Sequence, residues 1–218
     1  MTIAVNATTS EQHLTFDKFL EIYPEDGHYE LVDGRLVRIL ATRHHDDIAD
    51  FIADEMKAQV KQHGLNDKAS DRIVLATTSA QGNIQGRHPD VSVVDLERWR
   101  SNRSAYTALR EPIQLAVEVV STNWEDDDID KLDEYERLGI QEFWIVDYLA
   151  LGSRVYLGNP KQPTIFVHSF VRASEQSELG ESTHQNRKYQ MQAFQGTTPM
   201  QSPTFPDLQL TMAQILAV

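Results

Sequence analysis

Apolar residues recur along the chain in two rhythms, and these divide it into elements. In LTFDKFLEIY the spacing is helical, with Thr15 placed to cap a short helix before Phe16. YELVDGRLVRI alternates instead, around Asp33-Gly34, the dipeptide that best supports a two-residue type I′ hairpin. From about His45 to Gln62, Ile48, Phe51, Ile52, Met56 and Val60 return at helical spacing and Gly64 is a natural stop, so this helix buries one stripe. Three strand-like runs follow: RIVLATTS (72–79), HPDVSVVD (88–95) and IQLAVEVVS (113–121). A basic, polar stretch, ERWRSNRSAYTALRE, separates the second from the third. The acidic segment NWEDDDID then leads into KLDEYERLG, negative at its start and closed by Gly139, which suits the dipole of a helix. QEFWIVDY is a buried strand, RVYLG and TIFVHSF extend it antiparallel, and YQMQAF and a closing helix near MAQILAV complete the pattern. Residues 1–12 read as a loose lead-in and 173–188 as a polar loop, leaving one domain over 13–218. The central order of helix, three strands, helix and strand predicts an α/β fold with one mixed central sheet.

Composition narrows the function classes. Twenty Lys and Arg against 33 Asp and Glu give a net charge of −13, which argues against coating nucleic acid or anionic membranes through bulk electrostatics. It leaves room for a local cationic groove, or for acids that hold a divalent cation. The absence of cysteine removes disulfides, thiolate zinc sites and thiol nucleophiles. No apolar run approaches the ~20 residues needed to span a bilayer. The opening MTIAVNATTSEQ lacks the features of a signal peptide, so a cytoplasmic protein without membrane partners is expected.

Asp90 and Glu118 each lie in an otherwise apolar strand, where an unpaired carboxylate is costly to bury. On a period-two reading Glu118 shares a face with Ala116 and Val120. Two carboxylates on neighbouring strands are hard oxygen ligands of the kind Mg²⁺ takes, its shell completed by water and substrate phosphate. The alternative is that Glu118 pairs with an internal Arg or Lys and Asp90 only starts a strand after Pro89. Lys131 and Tyr135, four residues apart, project from one helix face. Lys131 either reaches the carboxylates, to orient water or offset transition-state charge, or pairs on the surface with Asp127 or Asp128.

Taken together, YELVDG, a helix opening with His-x-x-Ile, PDVSVV, VEVVS, Lys-x-x-x-Tyr and EFWIVD resemble the Uma-two family of restriction-endonuclease-like proteins, in the PD-(D/E)XK nuclease superfamily. The resemblance covers roughly residues 15–215, including SPTFPDLQL, and implies a restriction-endonuclease-like core. Residue by residue, it places the family's PD acid on Asp90 and its second acid on Glu118. The superfamily's lysine position two residues on is Val120 here, and the lysine looks migrated to Lys131. The family's upstream glutamate falls on Glu30, and Ser121 and Tyr135 match supporting positions. What the resemblance implies is a Mg²⁺-dependent endonuclease acting on DNA, with Mn²⁺ as substitute and a homodimer suited to double-strand cutting. The rival is a nuclease-fold protein that binds or regulates without efficient cleavage, which the net charge favours.

Other features have plainer readings. Pro206-Asp207 fits a turn, Glu125 to Asp128 a solvated helix start, and His45 a capping or packing role; His44 and His45 lack a partner histidine at zinc spacing. Arg98, Arg100, Arg103 and Arg110, interleaved with Trp99 and Tyr106, are either phosphate and base contacts or a surface loop with scattered charges.

Overall fold

The computed structural model describes residues 13–121, 124–170 and 188–218, apart from the side chains of 124–129. The lead-in at 1–12, the loop positions 173–187 and the side chains of Glu125 to Asp128 lie outside that description. Helix α1 (Phe16–Glu21) begins where Thr15 accepts a hydrogen bond from the Lys18 N–H. Strands β1 (His28–Val32) and β2 (Arg35–Ile39) pair antiparallel with Val32 opposite Arg35. That register leaves only Asp33 and Gly34 in the turn, and their φ angles of 46° and 74° meet the type I′ requirement. Helix α2 (Arg43–His63) is capped by Thr42 and ends at Gly64 in the left-handed conformation. Its buried Ile48, Ile52 and Met56 form the stripe that packs on the main sheet, each contributing on the order of 2 kcal/mol.

The remaining elements are β3 (Asp67–Ser70), β4 (Val74–Thr78), β5 (Ile84–Arg87), β6 (Val91–Asp95), α3 (Leu96–Ser101), β7 (Ala108–Leu109) and β8 (Leu115–Val119). After them come α4 (Trp124–Leu138), β9 (Glu142–Asp147), α5 (Arg154–Leu157), β10 (Thr164–Phe170), β11 (Tyr189–Gln195) and α6 (Met212–Ile215). The fold is mixed α/β, but with two mixed sheets rather than the single one expected. Six strands run in the order β11-β10-β9-β8-β6-β3 and five in the order β2-β1-β5-β4-β7. The correction has a physical cause: alternation marks a strand but not its partner. RIVLATTS forms β4 in the smaller sheet, whereas the strand beside β6 is β3, DKAS. Lying at the sheet's edge, β3 has little need of an apolar sequence, so no burial pattern announces it.

RVYLG is also corrected. It forms the short helix α5, capped by Ser153, and Val155 within it is 83% exposed, so its apolar residues do not report burial. The basic stretch contains α3, whose first turn is capped by the Asp95 carboxylate. Every residue of β8 is buried. Leu115, Val117 and Val119 join the core under α2 and α6, while Ala116 packs with Tyr135 and Phe143 between β8 and α4. Glu118 takes the Ala116 face, as its spacing predicts. Among the described residues, no helix is long and apolar enough to cross a membrane.

Candidate active site

The register of β6 and β8 sets the two acids side by side. Val91 lies opposite Val117 in the antiparallel ladder, so Asp90, one residue before β6, falls opposite Glu118. Asp90 Oδ2 accepts the Val119 N–H at 2.7 Å, which ties the residue to β8 directly. The same oxygen lies 3.3 Å from His45 Nε2, and that ring nitrogen is also 2.9 Å from the Val119 carbonyl oxygen. His45 therefore braces Asp90 rather than merely capping α2. Asp90 keeps 18% of its side-chain exposure, and among the described residues no donor meets its Oδ1.

Helix α4 closes the site from the other side. The Lys131 ammonium lies 3.1 Å from Glu118 Oε2 and 3.2 Å from Glu30 Oε1. The Tyr135 hydroxyl donates to Glu118 Oε1 at 2.6 Å. Lys131 is therefore a buried member of the cluster, while the side chains of Asp127 and Asp128, its alternative partners, lie outside the described residues. Glu30 arrives from β1 in the smaller sheet and accepts the His88 N–H at 3.1 Å. Of the sequence-derived residues, Asp90, Glu118, Lys131, Glu30 and Tyr135 thus converge. Ser121 makes no hydrogen bond among the described residues.

Two further residues complete the network without any clear sequence signal. Arg87, at the end of β5, donates bidentately to Glu134 through Nε and Nη2, both at 2.8 Å, and to Glu30 through Nη1 at 3.1 Å. Glu134 also accepts the Thr77 hydroxyl at 2.6 Å. The available hint was local: Glu134 follows Lys131 by three on one helix face, and Arg87 sits just before His88-Pro89-Asp90.

The electrostatics divide the acids. Burial works against ionisation of Glu30, but the Lys131 and Arg87 charges hold its carboxyl below the ordinary range. Burial likewise opposes Asp90, and the His45 hydrogen bond and charge with the Val119 N–H outweigh it. Glu118 goes the other way: burial, with the charges of Asp90 and Glu30, raises it well above the usual carboxylate value despite Lys131 and Tyr135. Burial raises the Tyr135 hydroxyl as well, with the neighbouring glutamates adding to it. Burial lowers His88 to about 4, so its ring is neutral at pH 7.

These observations test whether a divalent cation fits. Three buried carboxylates, Glu30, Glu118 and Glu134, share two cations, Arg87 and Lys131, and Asp90 adds a fourth acid facing His45. The surplus negative charge, the repulsion felt by Glu118 and the open Oδ1 of Asp90 all suit a hard cation with oxygen ligands. Among the described residues no group of three His, Cys, Asp or Glu side chains is placed to hold a metal ion.

The arginine stretch lies elsewhere. Arg98 to Arg103 follow the far end of β6, a strand's length from Asp90. Arg98 donates to the Pro112 carbonyl at 3.0 Å, and Arg110 pairs with Asp17 at 2.5 Å over the Phe16 ring. Asp207 is exposed in a turn, as its sequence suggests, 3.7 Å from His63.

Residues 16–213 match the family model described as "Uma2: Putative restriction endonuclease". No curated protein matches the chain. Among solved structures, a protein described as a "putative nuclease" from Anabaena variabilis ATCC 29413 shares the fold with a TM-score of 0.65. It is 16% identical, and the alignment covers 94% of this chain and 98% of that one.

Proposed function

From the fact that this chain belongs to the Uma2 family of putative restriction endonucleases, we propose that it is a Mg²⁺-dependent endonuclease with a restriction-endonuclease-like core, hydrolysing phosphodiester bonds in DNA. The observation that carries the reading is the convergence of Asp90, Glu118 and Lys131 at the paired ends of β6 and β8, with negative charge in surplus. Asp90 and Glu118 would hold the cation, Mn²⁺ serving in place of Mg²⁺. When bound, the metal supplies Lewis-acid charge to the scissile phosphate and acidifies a water.

The chain's own residues do the rest. Lys131, a buried donor beside Glu118, orients the attacking water and offsets charge gathering on the phosphoryl oxygens. Glu30, fixed by Arg87 and the His88 N–H, acts as a positioning residue that holds the ammonium in place. Tyr135 keeps Glu118 in one rotamer, and His45 does the same for Asp90. Two such sites in a homodimer suit cleavage of both strands, which size-exclusion with a mass measurement checks.

A second reading, a nuclease fold that binds without cutting, is favoured by one observation: both oxygens of Glu118 are engaged by Tyr135 and Lys131. Plasmid nicking in Mg²⁺, with EDTA and a Lys131→Ala variant as controls, separates the two. Metal-dependent cleavage lost in the variant supports the enzyme; binding without any cleavage supports the rival.

A further inference from the structure

An open cavity of about 870 Å³ lies between α1, α3 and the segment leading to β7. Its lining carries four arginines and Lys68 against two acids, Asp17 and Glu111. The lining thus carries three surplus positive charges on a chain of net charge −13. The cations differ in their freedom. Arg110 is tied to Asp17, Arg98 to the Pro112 carbonyl, and Lys68 lies 5.4 Å from the Trp99 ring centre. Arg100 and Arg103 are exposed, and their side chains make no hydrogen bond or ion pair among the described residues. Tyr106, in the same lining, is 60% exposed and offers an aromatic face to solvent.

The cavity is separate from the carboxylate cluster. Asp90 precedes β6, and the α3 part of the lining, which holds Arg100 and leads to Arg103 and Tyr106, starts at Leu96 beyond the strand's other end, six extended steps or roughly 20 Å away. We propose that this cavity binds an unpaired stretch of nucleic acid, several nucleotides from the cleavage centre, an inference that rests on the nuclease reading above. Arg100 and Arg103 fork onto phosphates, and a base stacks on Tyr106 beside Trp99. A duplex is the poorer occupant for two reasons. Its bases stack on one another and present no face to an aromatic ring, and two free arginines are few against the phosphates of both strands on an acidic protein.

The test is fluorescence anisotropy with the full chain in EDTA, so that neither metal nor cleavage enters. The probes are labelled 12-nucleotide single strands of DNA and RNA, a blunt duplex of the same sequence, and AMP as competitor. Single strands are expected to bind at least tenfold more tightly than the duplex. Tyr106→Ala should weaken binding roughly tenfold and Tyr106→Phe should not. The Arg100→Ala/Arg103→Ala double variant should weaken it and flatten the salt dependence by a slope of about 1.4. Equal binding of duplex and single strand, displacement by an equal concentration of AMP, or variants that bind like wild type overturn the proposal. Loss of binding in Glu118→Gln with retention in the arginine variant also overturns it, by moving the strand to the carboxylates. Intact strand binding without cleavage in Mg²⁺ overturns the nuclease reading alone.

Discussion

Glu118 on β8 and Glu142 on β9 lie on adjacent parallel strands, are 4% and 0% exposed, and both have their carboxyl pKa raised with burial as the leading cause. Their surroundings differ. Glu142 accepts from Trp144 Nε1 at 2.5 Å, the Ser202 hydroxyl at 3.1 Å and the Thr204 N–H at 2.8 Å, all neutral donors. It latches the 202–205 turn to the sheet. Glu118 has one neutral donor, Tyr135, then a lysine, and the like charges of Asp90 and Glu30 nearby. Burial and a raised pKa are common to both, so neither identifies a catalytic acid. What distinguishes the Glu118 region is convergent like charge beside an acid still open to solvent. Neutral donors satisfy a carboxylate and leave nothing for a metal to do; repelling carboxylates are relieved by a proton or by a cation.

The sharpest way to break this contrast is catalytic. Glu118→Gln and Lys131→Ala should each slow Mg²⁺-dependent plasmid cleavage by on the order of 100- to 1,000-fold, while Glu142→Gln stays within a few-fold per folded molecule. An inactive but folded Glu142→Gln would erase the distinction.

Stability comes next. Arg87→Met strands Glu134 as a buried charge without a cation and takes from Glu30 one of its two cations, for a loss of about 3–5 kcal/mol in urea unfolding. Ser202→Ala removes one neutral bond from Glu142, for about 1–2 kcal/mol. Equal losses would mean the ion network is no more demanding than the latch.

Metal linkage is a smaller effect. Mg²⁺ at tenfold its dissociation constant should stabilise wild type by about 1.4 kcal/mol, visible in thermal shift. Glu118→Gln should lose most of that gain and Glu142→Gln none of it.

The pH effect is the most subtle. Both glutamates have raised folded-state pKa values, so each contribution is complete below the ordinary value of 4.5 and is lost as pH rises through the raised one. In EDTA, Glu118→Gln should therefore gain on wild type as pH climbs above 4.5, by at most about 1.4 kcal/mol per unit. Glu142→Gln should gain less, and saturating Mg²⁺ should remove only the wild-type penalty at Glu118. His88 and His168, lowered by burial to about 4, act in the opposite sense, losing stability as pH falls from 6.5 towards 4. They are common to all three proteins and cancel in the comparison, which melting curves across a pH series measure.

Much of this was legible in the chain itself. The hairpin at Asp33-Gly34, the stripe and stop of α2 and the buried β8 follow from local rules: steric allowance at positive φ, a 3.6-residue period, and apolar residues on both faces of a strand. An acid inside LAVEV, a PD pair before SVV and a lysine four residues from a tyrosine marked Glu118, Asp90 and Lys131, because burial of charge is conspicuous in an apolar pattern. Glu142 was not distinguished, since its donors at Ser202 and Thr204 lie some sixty residues on. Only the tertiary structure decided that the strands form two sheets, that polar DKAS holds the edge beside β6, and that Arg87 from one sheet joins Glu134 from α4. Pairing partners and ion networks depend on which distant surfaces meet in space, and a one-dimensional pattern records how much each residue needs burial but not what it will be buried against.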